Sequence, residues 1–263
     1  MDKTQLLNHL AATPEDRLLL SHALDQLRLC QRRGVTTHTG FLSPAQWSAV
    51  EALADQAGFP APVTLGGYAD AERRRCLFLA DWQTPEDLDE ADYIHALRLS
   101  WYAPHPLSHR DLLGALMGLG LKREAVGDLL VGEGSADLLL LPELSAFVMD
   151  NLQQAGREKL HIAELSLKNL HFPTPKRKLL RESVPSLRLD AVLCAAFGLS
   201  RAKASELIRA GRVSVNHHCC LRPDLSLEAG ALLSCRGAGK AQLTQVGKLT
   251  RKGRISVSIE RFV

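Results

Sequence analysis

The sequence predicts an α+β chain made of three small domains. Residues 1–90 contain two helical patterns followed by two short strand patterns. Residues 91–170 run strand, helix, strand, strand, helix, strand, and residues 187–263 run two helices followed by short strands. Such mixtures of helices and strands are typical of α+β folds, and 263 residues are enough for each domain to bury its own core.

Two capped helices indicate a small α/β domain at the start of the chain. One helix follows the Thr13-Pro14 pair and stops at Gly34, and a second begins at Ser43-Pro44. The segments PVTLGGY and RRCLFLA have the composition of two strands joined by a turn. This domain shows no recognisable catalytic pattern.

The middle domain has the element order of a ferredoxin-like plait. Strand YIHALRLSW precedes a helix capped by Ser108, with Asp111 completing a capping box. Two apolar strands flank the turn GEG, a helix runs to Gly156, and strand KLHIAELSL closes the domain. RNA-recognition modules share this order, so a role in RNA binding is expected.

The predicted sheet face lacks the aromatic residues on which such modules stack bases. Alternation places Arg98 and Ser100 on one face of the first strand, and Glu164, Ser166 and Lys168 on one face of the last. No segment matches the aromatic motif of those modules. We therefore expect an open, polar face that contacts RNA by charge and hydrogen bonding.

Basic residues near the first plait helix form a possible second RNA contact, or are simply solvated. They are His109, Arg110, Lys122 and Arg123. An enzyme would need Ser108 as nucleophile and His109 as base, but adjacent residues rarely align a hydroxyl with an imidazole, and Ser108 is explained as a helix cap. No catalytic residue is therefore predicted.

The charge is divided unequally along the chain. Residues 176–263 contain 17 Lys and Arg against 6 Asp and Glu, a net +11, which leaves 15 against 23, or −8, on residues 1–175. A compact module with such an excess typically binds a polyanion. A merely solvated tail would not contain so many periodic Val, Leu and Ile residues. Residues 171–186, with three prolines, are predicted to be a linker.

The second helix of the basic module, SRAKASELIRAG, combines an inward apolar stripe with outward cations. Arg201 and Lys203 lie in its first turn, Arg209 in its last, and Arg212 begins the following strand. Guanidinium groups directed outward are suited to phosphate oxygens or a guanine edge.

Three motifs at fixed spacing in RLDAVLCAAFGLSRAKASELIRAGRVSVN resemble the S4 RNA-binding module. They are R-L-D, L-S-R-x-x-A and I-x-x-G-x-V-x-V-N. The resemblance covers about thirty residues, and the remaining strands agree in order. It implies binding of structured RNA, commonly ribosomal or transfer RNA, through Arg188, Ser200, Arg201, Lys203, Arg209, Arg212 and Asn216.

The whole chain is also similar to the YlmH-like S4 proteins. The similarity rests on SHRDLLGALMGLGLKREAVGDLLV and on the ending RGAGKAQLTQVGKLTRKGRISVSIERF. It implies a monomer without a cofactor that acts on the large ribosomal subunit, in rescue or quality control of stalled translation. Lys240 stands where the family usually has arginine, and Ala231 where it has aspartate. Further RNA contacts are expected at Lys240, Arg251, Lys252 and Arg254.

The stretch VNHHCCLRP contains four residues of the types that bind zinc. Neighbouring residues of an extended chain point to opposite sides, so His217 to Cys220 cannot all reach one tetrahedral ion. We expect a surface turn there and no metal, since two of the four could bind one only with help from elsewhere, such as Cys235. The six scattered cysteines are typical of reduced thiols.

The predicted function is a non-catalytic RNA-binding protein. One alternative is an RNA-modifying enzyme, but pseudouridine synthases and methyltransferases place the S4 module before the catalytic domain. Tyrosyl-tRNA synthetases need H-I-G-H and K-M-S-K-S motifs, which are absent. The other alternative is a ribosome-linked protein-interaction adaptor that uses the acidic front half. The sequence lacks a secretion signal and an apolar span, so we expect a cytoplasmic protein that does not enter membranes.

Overall fold

The computed structural model describes residues 3–11, 13–102, 105–173, 177–250 and 253–262. The chain divides into two compact units, unit 1 (Met1–Pro173) and unit 2 (Thr174–Val263). Helices and strands are mixed in both units, which confirms the α+β prediction. Over the described ranges, no helix is long and apolar enough to span a membrane.

Three helices and a small antiparallel sheet form the first part of unit 1. As predicted, the Thr13 hydroxyl caps the long second helix by accepting a bond from the Asp16 amide (3.1 Å), and Gly34 ends it in the left-handed region (φ 62°). The two predicted strands pair with each other. A third strand, of two residues, pairs with the other edge of the second predicted strand. The elements are α1 (Lys3–Leu10), α2 (Pro14–Arg33), β1 (Thr37–His38), α3 (Pro44–Gln56), β2 (Val63–Leu65) and β3 (Arg75–Phe78).

The plait follows in the predicted order. Its elements are β4 (His95–Ser100), α4 (His109–Gly118), β5 (Val126–Val131), β6 (Ser135–Leu140), α5 (Ser145–Asn151), β7 (Gln154–Ala155), β8 (Glu158–Lys159) and β9 (His161–Leu165). The main sheet has the order β5-β6-β4-β9 and is antiparallel throughout. On one face, Leu97 and Leu138 of the sheet form a buried core with Leu112 of α4 and Val148 of α5.

The second plait helix is shorter than predicted. The sequence pattern carried it to Gly156, whereas α5 ends at Asn151. The next residues form the β7–β8 hairpin, with Gly156 in its turn at φ 56°. Glycine enters this left-handed region without steric cost, so it serves a hairpin turn as readily as a helix end.

The other face of the plait sheet is covered, and the prediction of an open polar face is wrong. Phe41, from the loop after β1, packs there with Ile94, Ala96, Leu139 and Leu170, and all five are at most 8% exposed. Apolar residues on this side of the sheet are thus removed from water by the first part of unit 1 and by the segment after β9. We call this side the closed face.

Polar residues predicted for the open face are placed differently. Arg98 lies on the closed face, where Nε and Nη2 donate to the buried Asp137 carboxylate at 2.8 Å each. Glu164 pairs with Leu97, whose side chain belongs to the helix-side core, so Glu164 is on the opposite face from Arg98. Lys168 follows the strand. The alternation of β9 was assigned to the wrong face: Leu165, which is opposite Ala96, packs on the closed face in place of Glu164.

Hydrogen bonds of Arg73 connect the first part of unit 1 to the plait. Its guanidinium donates to three backbone carbonyls, those of Phe41 (2.7 Å), Arg123 (2.9 Å) and Val126 (2.9 Å). Its own amide donates to the carboxylate of Asp128 on β5 (3.1 Å). Buried carbonyl groups need such donors, so this arginine is part of the core of unit 1.

Unit 2 is a six-stranded antiparallel sheet with two helices on one face. Leu193, Ile208, Leu233, Leu243 and Ile259 are central to its core and fully buried. The elements are β10 (Arg177–Val184), α6 (Leu189–Phe197), α7 (Arg201–Arg209), β11 (Val213–Val215), β12 (His218–Cys219), β13 (Leu232–Cys235), β14 (Gly239–Leu249) and β15 (Ile255–Phe262). The sheet order is β10-β15-β14-β13-β11-β12.

The segment predicted as a linker contains a strand, β10. It pairs with β15 over eight residues, from Arg177 opposite Phe262 to Val184 opposite Ile255. Leu180 and Val184 alternate toward the core of unit 2. The prolines that indicated a linker stand outside the strand, and the segment between them pairs along its whole length although its sequence has no regular period.

The sequence predicted a turn at His217–Cys220. The turn in the structure has two residues, Asn216 and His217, and so begins one residue earlier. Asn216 and His217 have positive φ angles of 48° and 70°, and Val215 pairs with His218. Positive φ at both central residues describes a type I′ hairpin turn. Cys219 belongs to β12 and is exposed. No three His, Cys, Asp or Glu side chains in the described segments are arranged to hold a metal ion.

Candidate nucleic-acid interface

Asp190 joins two of the predicted RNA-binding arginines at the start of α6. Its carboxylate accepts bonds from Arg188 Nε (3.2 Å) and Nη2 (3.1 Å), and Arg201 Nε lies 3.5 Å from Oδ2. The Asp190 side chain is 4% exposed, whereas those of Arg188 and Arg201 are 41% and 60% exposed. A buried anchor therefore holds two arginines that remain at the surface.

The charges of this cluster are mutually supporting. Burial alone would raise the pKa of Asp190, but hydrogen bonds from Arg188 and the charges of Arg188 and Arg201 outweigh it, so the pKa lies below its ordinary value. The carboxylate is then ionised at neutral pH and neutralises one of the two arginines. Arg188, Arg201 and Asp190 together keep a net charge of one positive unit, and the two arginines expose it to solvent.

Helix α7 presents cations on its outer side. Ala204, Leu207 and Ile208 are buried on its inner side. The Ser200 hydroxyl is its N-cap and accepts from the Lys203 amide (3.2 Å). Lys203 Nζ also contacts Glu206 Oε1 (2.7 Å), an exposed ion pair that contributes little stability. Together with exposed Arg209, the outer side forms what we call the α7 ridge: Arg201, Lys203 and Arg209.

Two further predicted residues have structural partners after α7. Arg212 Nη2 donates to the Arg236 carbonyl (3.3 Å), and the Asn216 Oδ1 accepts from the Leu232 amide (2.8 Å). Arg212 remains exposed at the end of the ridge. Asn216 holds the type I′ turn against β13, which gives this position a role in the fold.

The predicted residues of the closing strands are dispersed. Lys240 lies on β14 opposite Ser234 and Phe262. Arg254 donates to the hydroxyl (3.1 Å) and carbonyl of Ser183 on β10. Arg254 and Arg201 line one cavity of about 350 Å³ beside α6, so these two predicted residues are brought together. Arg251 and Lys252 lie outside the described residues.

The four basic residues predicted around the first plait helix differ in their environments. Arg123 Nη1 donates to the carbonyls of Val126 (2.6 Å) and Gly127 (3.2 Å), so it is held in the interior of unit 1. Partial burial and the Arg123 charge lower the pKa of His109 from its ordinary value. Arg110 is exposed, and Lys122 is 83% exposed with Nζ 3.9 Å from Glu124.

Sequence reasoning missed Asp190 as a member of the site. Its signal was present, because the R-L-D motif places an acid two residues after Arg188. What the pattern did not show was that the same carboxylate also reaches Arg201, eleven residues later. That contact depends on how α6 and α7 pack.

Comparisons with known proteins agree with this geometry. Residues 187–233 match the S4 domain, and residues 103–169 match the family described as "Putative RNA-binding domain in YlmH". The chain is 33% identical over 249 residues to a protein of Bacillus subtilis (strain 168) named ribosome-associated protein quality control protein P2, covering 94% of this chain and 95% of that one.

A solved structure supports the fold alone. It is named cell division protein ylmH from Streptococcus pneumoniae, is 21% identical, and superposes with a TM-score of 0.52 over 61% of this chain and 98% of that one. Taken with the two domain matches and the Bacillus relative, the chain belongs to the YlmH family of S4-domain RNA-binding proteins.

Proposed function

We propose that this protein is a non-catalytic RNA-binding factor of the ribosome that works in rescue or quality control of stalled translation. It engages structured ribosomal or transfer RNA on the large subunit, in the cytoplasm, through the α7 ridge and the arginines at Asp190. The observation that carries the proposal is the Asp190 cluster, a buried carboxylate that positions two exposed guanidinium groups.

The chemistry of the ridge favours RNA as the ligand. Phosphate neutralisation by Lys and Arg dominates the affinity of such surfaces, and the segment from residue 176 has a net charge of +11. The guanidinium groups of Arg188 and Arg201 are held in place before binding, which reduces the entropy lost when they contact phosphates. The ribosomal setting is supported by the name of the Bacillus relative, which aligns with nearly the whole chain.

The non-catalytic assignment is supported at Ser108-His109, the serine–histidine pair considered above as an enzyme site. The Ser108 hydroxyl donates to the Asp111 carboxylate (2.6 Å) and accepts from the Asp111 amide (3.3 Å). Both contacts belong to the capping box of α4, so Ser108 has a structural role that accounts for its geometry.

Salt-dependent binding of the full chain to bulk transfer RNA and to purified large subunits tests the proposal. Replacing Arg201 and Lys203 by alanine should weaken binding and reduce the slope of log affinity against log salt by roughly 1.4 to 1.8, from two lost phosphate contacts. The control is the pair Arg28→Ala and Arg33→Ala, two exposed cations on α2, which should leave the slope unchanged. Equal slopes for both double variants would contradict the proposal.

A further inference from the structure

The RNA contact of the plait cannot be its sheet face. RNA-recognition modules use the face opposite their helices, and here that is the closed face, filled by Phe41, Leu139 and Leu170. Its one arginine, Arg98, is occupied by Asp137. The plait matches the family described as "Putative RNA-binding domain in YlmH", so another surface of unit 1 is the candidate for an RNA contact.

One end of the plait sheet brings four elements together. Ser100, at the end of β4, is opposite His161, at the start of β9. The β7–β8 hairpin packs beside the chain that leads into α4: a methyl group at Gly156 would lie 3.7 Å from Leu107, and His105 Nδ1 is 3.3 Å from Glu158 Oε1. Residues distant in sequence thus share this end.

Three cations and an aromatic ring are exposed at this end. Arg110 is in the first turn of α4, Arg157 follows the hairpin glycine, and Lys159 precedes β9; within the described part of the chain none of the three forms an ion pair. Tyr102 is 76% exposed, two residues beyond the end of β4. Ser100 and His161 are the last pair of the β4–β9 ladder, so Tyr102 and Lys159 each lie two residues beyond that pair, at the same end of the sheet.

The carboxylates adjacent in sequence to these cations are engaged elsewhere. Asp111 bonds to Ser108 in the capping box (2.6 Å), and Glu158 faces His105. The three cations therefore keep their charge available to a ligand. An exposed ring at the same end of a sheet as exposed cations is a combination that binds single-stranded or unpaired RNA, because phosphates meet the cations and a base stacks on the ring.

We propose that these four residues, Tyr102, Arg110, Arg157 and Lys159, which we call the hairpin patch, are the RNA contact of the plait. The cations bind the phosphates of an unpaired RNA segment, and Tyr102 stacks on one base without selecting its identity. The inference rests on the proposed function, since it assigns a second contact to the same RNA-binding protein.

Binding of the full chain to a twenty-nucleotide oligouridine RNA, measured by fluorescence anisotropy at several KCl concentrations, tests the patch. Arg110→Ala with Arg157→Ala should lower the salt slope by roughly 1.4, and Tyr102→Ala should weaken binding roughly tenfold without changing the slope. Arg110→Lys with Arg157→Lys should retain the slope. Arg28→Ala with Arg33→Ala is the matched control, and melting temperatures verify that each variant folds.

The possible outcomes separate the patch from the proposed function. A reduced slope for the patch variant, with the control unchanged, supports the patch. A patch variant that binds like the native chain, while Arg201→Ala with Lys203→Ala loses slope on transfer RNA, overturns the patch and leaves the proposed function in place. If every variant had the same dependence of log affinity on log salt as the native chain, on both oligouridine and transfer RNA, both the hairpin patch and the proposed function would be overturned.

Discussion

Four arginines of unit 1 and four of unit 2 differ in where their guanidinium groups lie. In unit 1, the guanidinium groups of Arg73, Arg75, Arg98 and Arg123 turn inward and donate to backbone carbonyls or to a buried carboxylate. In unit 2, those of Arg188, Arg201, Arg209 and Arg212 remain at the surface. A basic residue in the sequence therefore indicates an RNA contact only where its charge is left to solvent.

The inward arginines remain cations despite their burial. Burial, followed by repulsion from Arg123, lowers the pKa of Arg73 to about 10, still well above neutral pH. Arg75, only 2% exposed, donates to the carbonyls of Thr39 (3.0 Å) and Tyr93. Five donors spread over the three nitrogens of a planar fork allow one side chain to satisfy several carbonyls that lie apart, whereas lysine has three donors on a single nitrogen.

The largest effect should come from removing one inward arginine. Arg73→Met removes the Arg73 donor from the Phe41 and Arg123 carbonyls and one of two side-chain donors from the Val126 carbonyl, and should lower the free energy of unfolding of unit 1 by about 3 kcal/mol or more. Arg201→Met, the surface counterpart, should change stability by less than about 1 kcal/mol. All three tryptophans, at 47, 82 and 101, belong to unit 1, so tryptophan fluorescence in urea measures Arg73→Met, and hydrogen exchange of the α7 amides measures Arg201→Met in unit 2. Similar losses for both variants would refute the comparison.

An intermediate effect is expected at Asp190, the buried residue on which the surface arginines of unit 2 depend. Asp190→Asn keeps the shape but removes the charge, so it should cost about 1 to 2 kcal/mol and weaken RNA binding by releasing Arg188 and Arg201. Leu189→Val, at the neighbouring buried position, is the control: it loses similar stability through packing and should leave RNA affinity intact.

The pH dependence of the Asp190 effect has a defined sign. The folded-state pKa is lowered, so the stabilisation is fully present above the unfolded value of about 3.9 and is lost as the pH falls through the lower folded value. Hydrogen exchange of α6 should therefore show a constant difference between native chain and Asp190→Asn at neutral pH, and a shrinking one below about pH 4. A difference independent of pH down to pH 2 would exclude the ionic anchor.

The smallest effect separates two adjacent cations. Arg123→Ala should cost unit 1 about 1 to 2 kcal/mol, because it deprives two carbonyls of a donor, whereas Lys122→Ala should stay within about 0.5 kcal/mol. Denaturation followed by tryptophan fluorescence distinguishes them. If Lys122→Ala were the more destabilising of the two, the distinction between inward and surface cations would fail within the plait.

Local signals predicted much of the secondary structure. Caps at Thr13 and Ser108 and the stop at Gly34 define helix ends through contacts a few residues apart, and they are where the sequence placed them. Strand β10 was missed because its pairing partner, β15, lies more than seventy residues away and its own sequence, RKLLRESV, has no regular alternation. Whether such a segment forms a strand depends on a pairing partner far away in sequence, which local patterns do not reveal.

The sequence predicted which arginines belong to the candidate site, but it did not predict the contacts that hold them together. The S4-like motifs identified Arg188 and Arg201, yet the carboxylate that unites them becomes visible only when two helices pack. In the plait, Arg110 and Arg157 are separated by 47 positions in sequence, and the hairpin that brings Arg157 to the same end was itself predicted as helix.

The closed face also determines how this protein can be dissected in the laboratory. A fragment that starts at residue 91 would lack Phe41 and would expose Leu139 and Ala96 to water. Such an exposed apolar surface promotes aggregation. Truncation near residue 173 instead separates two bodies that each keep their own core. Recombinant pieces cut there are the ones suited to crystallisation and titration.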